Sequence, residues 1–468
     1  MRYGPRLVLS AVRGGSGKTT LALGAVAAWR KGGKQVAVFK KGPDYIDAGW
    51  LGAASGGLCY NLDPYLMEEE RIRKSFGEHS EGADISVIEG NRGLFDGVDG
   101  AGTFSTARLA KMLGAPVVLI VDCTKASGTV AAVVLGCKQY DAAVSLRGVI
   151  LNNVAPGRHE KVVREAIEQN SGLPVVGAVP RLGEGTFPER HMGLTPFQEH
   201  PDVDQAISGA RTVAERYLDL DALWNIAHAA EPHEFPARGA TQVHGHDASL
   251  TPVTIGIIQD SAFQFYYPDN LEALEQHGAT LTRINALKDP QLPDVDGLYI
   301  GGGFPETQAA ELASNAGFCR SLKNAAEHGL PIYAECGGLI YLGRSLRIGD
   351  KRFPMVSVVP ADFVLEKKPQ AHGYTVLEAS GPNPFFEKGS VLHGHEFHYS
   401  RIENAGDLAG MTFEMRRGQG MNGRKDGLVF RNVLATYSHL HALGTPQWAE
   451  GFVSRVRQHR AERGLGKQ

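Results

Sequence analysis

Between positions 6 and about 225, apolar residues fall in short runs rich in β-branched side chains, separated by longer stretches with helical spacing. RLVLSAV (6–12), QVAVFK (35–40), ISVIEG (85–90), PVVLIVD (116–122), LRGVILNNV (146–154) and PVVGAVP (174–180) have the length of strands. They are apolar on both alternations, which predicts strands covered on both faces: a parallel sheet between layers of helix. Periodicity lapses over 229–252, AAEPHEFPARGATQVHGHDASLTP, where Pro, Gly, His and small polar residues accumulate as in an interdomain linker. A second series follows, with VTIGIIQD (253–260), GLYIGGG (297–303), LPIYAECGG (330–338) and VLATYSHLHALG (433–444). The pattern predicts two different α/β domains, 1–228 and 253–468, and no internal repeat.

Composition narrows the function classes. The 468 residues are 43% hydrophobic and 21% charged with a formal net charge of −3, so no basic surface is expected and nucleic acid is not an expected partner. The five cysteines are scattered without a CxxC pair, which fits a reducing compartment better than a disulfide framework or a thiolate zinc site. No apolar run reaches the roughly 18 residues of a membrane span, and MRYGPRLVLSAV lacks the core of a signal peptide. A cytoplasmic protein without a membrane partner is expected. Oligomeric state is not legible, and a homodimer is one of the assemblies open to it.

Two motifs carry chemistry. The first, RGGSGKTT, follows a strand and precedes the helical TTLALGAVAAWRKGG. Its glycines let backbone N–H groups wrap phosphate oxygens, Lys18 supplies a point charge, and Thr19 supplies a hydroxyl for Mg²⁺. The standard pattern wants Gly at position 12, which here is Val12, so the loop resembles the deviant KGGxGKT signature with Arg13 in place of its lysine. Arg13, Gly14, Gly15, Gly17, Lys18, Thr19 and Thr20 are the expected ATP contacts. Asp44 and Asp47 follow QVAVFK, Glu89 ends ISVIEG, and Asp122 ends PVVLIVD, so each stands at the carboxyl end of a predicted strand. Such acids hold Mg²⁺ directly or through water, or cap helices. Asp47 and Glu89 are the metal candidates and Asp122 has a supporting role. Asn152 and Asn153 end another strand and could read an adenine edge or serve a turn.

The second motif is YAECGGLIYLG, in which Cys336 leaves a predicted strand straight into Gly337 and Gly338. A tight turn of this kind exposes a nucleophile, and the neighbouring glycines allow a carbonyl to approach. His439, on a late strand, is the expected base, and the N–H groups of Gly303 and Gly337 are the expected oxyanion donors. The remaining cysteines read as small buried hydrophobes. The clustered histidines HGH (244–246) and HGHEFH (393–398) lack the carboxylate or thiolate frame of a metal site.

The turn around Cys336 resembles the nucleophile elbow of class I glutamine amidotransferases. Over its whole length the chain resembles the cobyrinate a,c-diamide synthase family, through FKKGPDYID, NLDPYL, VIEGNRGLFDG, VVLIVD, VILNNV, PERHMGL, FQFYYPDN, GGGFPE, YAECGGLIYL, HGHEFHYS and TYSHLH in that order. The resemblance implies a phosphate-loop synthetase domain related to dethiobiotin synthetase, followed by a glutaminase domain. It implies ATP and glutamine as substrates together with a polycarboxylate tetrapyrrole, whose carboxylates become amides through acyl phosphates. It also implies a Cys–His pair without the acid of the usual triad; two residues past His439, where triad enzymes carry glutamate, stands His441. Asp44, Tyr45 and Asp96 match family positions near the macrocycle. Two departures stand out: RGGSGKTT replaces a Thr/Ser-rich loop, and Asn91 and Arg92 replace small or apolar residues. Arg92 is therefore a candidate carboxylate contact that selects the ring. Siroheme is an alternative macrocycle, and a partition-type deviant phosphate-loop ATPase is the rival reading.

Overall fold

A computed structural model describes residues 4–182, 189–190, 193–231, 252–405 and 411–465. The chain divides into two compact units, Met1–Gly239 and Ala240–Gln468. Most of the stretch read as a linker, and the histidines at 244 and 246, lie outside the described residues. No helix among those residues is long and apolar enough to cross a membrane.

The first unit is a seven-stranded parallel sheet. Its strands are β1 (Arg6–Ala11), β2 (Val36–Lys41), β3 (Cys59–Leu62), β4 (Ile85–Glu89), β5 (Val117–Asp122), β6 (Leu146–Asn152) and β7 (Val175–Ala178), in spatial order β3-β2-β4-β1-β5-β6-β7. Every strand of β1, β4 and β5 is buried along its apolar length, as strands covered on both faces must be. Leu7, Leu9, Val118 and Ile120 pack against Leu21, Ala22 and Val26 of helix α1 (Lys18–Lys31). All six predicted runs are strands; β3 is a seventh that four residues of LCYNLDPYL did not announce. β4 and β5 flank β1, so the loops after all three open at one edge of the sheet. That edge is where the order reverses and where open parallel sheets bind ligands.

The second unit holds a ten-stranded mixed sheet. Ala279–Ile284, Val253–Ile258, Gly297–Ile300, Ile332–Glu335 and Val433–Thr436 are parallel neighbours in that order. Lys425–Phe430, Met411–Arg417, Ala371–Ala379, Val391–His398 and His439–Leu440 continue it, all antiparallel. The predicted runs fall in the parallel half, except that VLATYSHLHALG continues past Val433–Thr436 into His439–Leu440. A separate four-stranded sheet and the antiparallel half went unpredicted, because strands such as Ala371–Ala379 alternate buried and half-exposed residues and have no long apolar run.

Candidate functional site

In the first unit the chain leaves β1 and turns through Arg13–Gly17 into α1. Ser16 Oγ donates to the Arg13 carbonyl at 3.0 Å, and Asn152 Nδ2 donates to the Ser16 carbonyl at 2.9 Å. Asn152 therefore props the loop. Gly17 has φ 81°, and a Cβ there would lie 2.5 Å from Asn152 Nδ2, so neither the conformation nor the space admits another residue. Arg13 is exposed and pairs with Asp122 at 2.9 Å, while Asp122 also accepts from the Thr124 N–H and hydroxyl. Lys18 Nζ donates to the Arg92 carbonyl at 2.9 Å. Burial, and then the nearby Lys40 ammonium, lower the Lys18 pKa.

A buried charge cluster lies beside the loop. Lys40 Nζ bridges Asp47 (2.6 Å) and Glu89 (2.9 Å), and the Thr19 hydroxyl donates to the same Glu89 oxygen at 2.8 Å. Burial works against charge on Lys40, but Asp47 and Glu89 outweigh it and hold the ammonium protonated. Burial also pushes the carboxyl of Asp47 up, yet Lys40 more than offsets this and holds it below the usual range. At Glu89 burial wins and the pKa rises. The two carboxylates expected to hold metal are thus already held by a lysine that sequence reading passed over. Glu89 Oε2 is buried without a hydrogen-bond partner, and with the Thr19 hydroxyl it forms an oxygen donor set that suits Mg²⁺.

Asn153, in a left-handed conformation (φ 54°), lines a cavity of about 610 Å³ with Thr124, Lys125, His159 and Arg181. That is within the range of small-molecule clefts, roughly 300–1,000 Å³. Asp44 accepts the Asp47 N–H at 2.9 Å at the start of the helix Ile46–Ser55, whose first turn Tyr45 precedes. Burial first, and Asp47 second, push the Asp44 carboxyl up to about 7. Asp96 accepts the Gly93 N–H at 2.7 Å and closes the loop after β4. Arg92 stands in that loop at φ 52° with its side chain exposed.

In the second unit Cys336 takes φ 47° and ψ −96° between the strand Ile332–Glu335 and the short helix Gly337–Leu342. A non-glycine residue held there is strained, as a nucleophile at a strand-to-helix elbow is. A Cβ at Gly337 would meet the Gly303 nitrogen at 3.0 Å, and one at Gly338 the Ile300 carbonyl at 2.5 Å, so both glycines let the elbow pack onto the preceding loop. His439 faces the same loop: a Cβ at Gly302 would be 2.5 Å from its Cε1 and 3.3 Å from its Nε2. Cys336, Gly303, Gly337 and His439 are therefore gathered in one place. The thiol is raised by burial first and by Glu306 and Glu335 after it, so in the resting state it keeps its proton. The His439 ring stacks on His395 (centroids 4.9 Å, 19° apart), and burial, then His439, lowers the pKa of His395 well below its ordinary value. His441 turns to Asp269, 3.4 Å from Nε2.

Residues 7–194 match the CobQ/CobB/MinD/ParA nucleotide binding domain, and residues 254–447 match the CobB/CobQ-like glutamine amidotransferase domain. A cobyrinate a,c-diamide synthase of Magnetococcus marinus is 42% identical over 95% of this chain and 96% of its own length. The chain belongs to the cobyrinate a,c-diamide synthase family. Members from Archaeoglobus fulgidus (38% identical, covering 97% of each chain) and Methanosarcina acetivorans (36%, covering 98% of this chain and 97% of its own) are similar over the same span. Family membership across both halves is what the partition-type ATPase reading would not give, since that reading leaves 254–447 without a role. The nucleotide domain and the amidotransferase domain make the chain a glutamine-dependent, ATP-using amide ligase of this family. Sequence reading missed Lys40, Glu335, His395 and Asp269. All four stood inside quoted stretches, FKKGPDYID, YAECGGLIYL, HGHEFHYS and FQFYYPDN, but only the fold gives them partners.

Proposed function

We propose that this protein amidates the a and c acetate carboxylates of a cobyrinate-type macrocycle with ammonia drawn from glutamine. The reading is carried by one chain that holds a phosphate cradle at the edge of a parallel sheet and a strained cysteine elbow facing a histidine. Cys336 Sγ gives its proton to His439 and attacks the side-chain amide carbonyl of glutamine. Ammonia leaves, a glutamyl thioester forms, and water releases glutamate. The N–H groups of Gly303 and Gly337 stabilise the oxyanion. In the other unit a carboxylate oxygen of the macrocycle attacks the γ-phosphorus of ATP and ADP departs. Ammonia then attacks the acyl carbon and expels phosphate.

Arg13, Gly14, Gly15, Gly17, Lys18 and Thr20 cradle the phosphates, and Asn153 contacts the base. Mg²⁺, when bound by Thr19 and Glu89 with Asp47 nearby, supplies positive charge to the transferring phosphoryl group. Asp44, Tyr45, Asp96 and Arg92 contact the macrocycle. Purified protein incubated with ATP, glutamine and cobyrinate, hydrogenobyrinate or sirohaem in turn tests this by mass spectrometry of the products. Each exchange of OH for NH₂ lowers the product mass by about one unit. Two such losses on cobyrinate are expected. Amidation of sirohaem alone would replace the proposed substrate.

A further inference from the structure

The family resemblance implies a Cys–His pair without a third acid, and the position two residues past His439 is indeed a histidine. The structure nevertheless places a carboxylate on the far side of the imidazole. Glu335 Oε2 lies 3.4 Å from His439 Nδ1, while the Cε1–Nε2 edge of the same ring faces Gly302 beside the elbow. We infer that Glu335, the residue preceding the nucleophile, is the positioning acid of the glutaminase, orienting His439 through Nδ1 so that the Nε2 edge faces the elbow, where it takes the Cys336 proton.

Three further observations support this role. Glu335 is fully buried, and among the described residues it pairs with no lysine or arginine; its one ion-pair contact is His439. A buried carboxylate with only neutral donors is costly, and a histidine that becomes cationic during the reaction is the partner that offsets this cost. Next, two donors fix its geometry, and one of them is itself held. The Leu440 N–H donates to Oε1 at 3.1 Å, the Tyr299 hydroxyl donates to Oε2 at 3.1 Å, and Asn270 Nδ2 supports that hydroxyl at 3.4 Å. Because Leu440 follows His439, the same carboxylate anchors both the strand and the ring it carries. Finally, the competing acid is elsewhere: Asp269 faces His441. The 3.4 Å separation is long for a hydrogen bond, as such contacts often are before substrate binds. In the step itself the Sγ–H proton moves to Nε2, Nδ1 keeps its own proton, and the Glu335 carboxylate faces the new imidazolium.

The inference rests on Cys336 and His439 being the nucleophile and base, and its test separates the two. In the full-length protein, Glu335→Gln should lower kcat for glutamine-dependent amidation by about 10- to 100-fold with little change in the KM for glutamine. Amidation supported by ammonium chloride should persist. The rate at which 6-diazo-5-oxo-L-norleucine inactivates the glutaminase should fall by a similar factor in an otherwise unchanged chain. In a His439→Ala background, Glu335→Gln should slow that inactivation no further, because the acid acts only through the ring. Multiplying effects in the double variant, whether from misfolding or from an independent role, would overturn the inference, as would a kcat within about 3-fold of wild type. If Cys336→Ala retained glutamine-dependent amidation, the fault would instead lie with the underlying reading.

Discussion

Lys40 and Glu89 meet at 2.9 Å at the carboxyl ends of adjacent strands, with 1% and 0% of their side chains exposed. Removing one partner of such a pair leaves the other buried and uncompensated. Lys40→Met should therefore destabilise the protein by about 3–5 kcal/mol, read from urea or thermal unfolding of the full chain. Glu89 would then gain a proton at neutral pH, which Fourier-transform infrared difference spectroscopy against Glu89→Gln would register. Unchanged stability would mean that Lys40 is solvated rather than locked between the carboxylates.

The proposed mechanism gives the two units separable chemistry. Cys336→Ser should lose glutamine-dependent amidation while keeping activity with ammonium salts, because the thiol only generates ammonia. Lys18→Ala should lose amidation from either nitrogen source, since the phosphoryl transition state loses its cation. Product formation from both sources by both variants decides it: an ammonia-competent Lys18→Ala enzyme would show that RGGSGKTT is not the catalytic loop.

Arg92 offers an exposed guanidinium from a loop whose backbone the Lys18 ammonium already grips. Arg92→Ala should raise the KM for the macrocycle about 10-fold, as for loss of one charge-assisted contact worth roughly 1.5–3 kcal/mol. Steady-state kinetics should find the KM for ATP and the glutaminase rate unmoved. A macrocycle KM equal to that of wild type would remove Arg92 from the substrate site.

Asp44 makes a pH-dependent contribution. Its folded pKa, about 7, lies above the unfolded value of 3.8, so between those values the folded state binds the extra proton. Stability contributed at this site is complete below about pH 4 and declines as pH rises towards 7. Asp44→Asn removes the ionisation, so the variant should gain stability relative to wild type as pH rises through that window. Unfolding titrations at pH 4.5, 5.5 and 7 would show the two curves diverging. Parallel curves would mean that Asp44 titrates normally.

Much of the chemistry was legible because it is local. A run apolar on both alternations specifies a doubly covered strand without reference to anything distant, and six such runs were strands of the first unit. RGGSGKTT and AECGG are contiguous, so their glycines announced a phosphate turn and an elbow directly, and the positive φ of Gly17 and Cys336 is the backbone form of those signals. The antiparallel strands of the second unit gave no such signal, since residues that alternate between buried and half-exposed positions acquire their pairing from partners far along the chain.

The same distance hid the groups that tune each site. Glu335 and His439 are 104 residues apart and meet because Val433–Thr436, which ends three residues before His439, pairs in parallel with Ile332–Glu335. Lys40 reaches Glu89, 49 residues on, because β2 and β4 are neighbours in register. Residue type at these positions was visible in the sequence. Whether a buried charge meets a metal, a lysine or a histidine depends on which strands lie side by side, and burial, by stripping away water, makes that choice of partner decisive for its protonation.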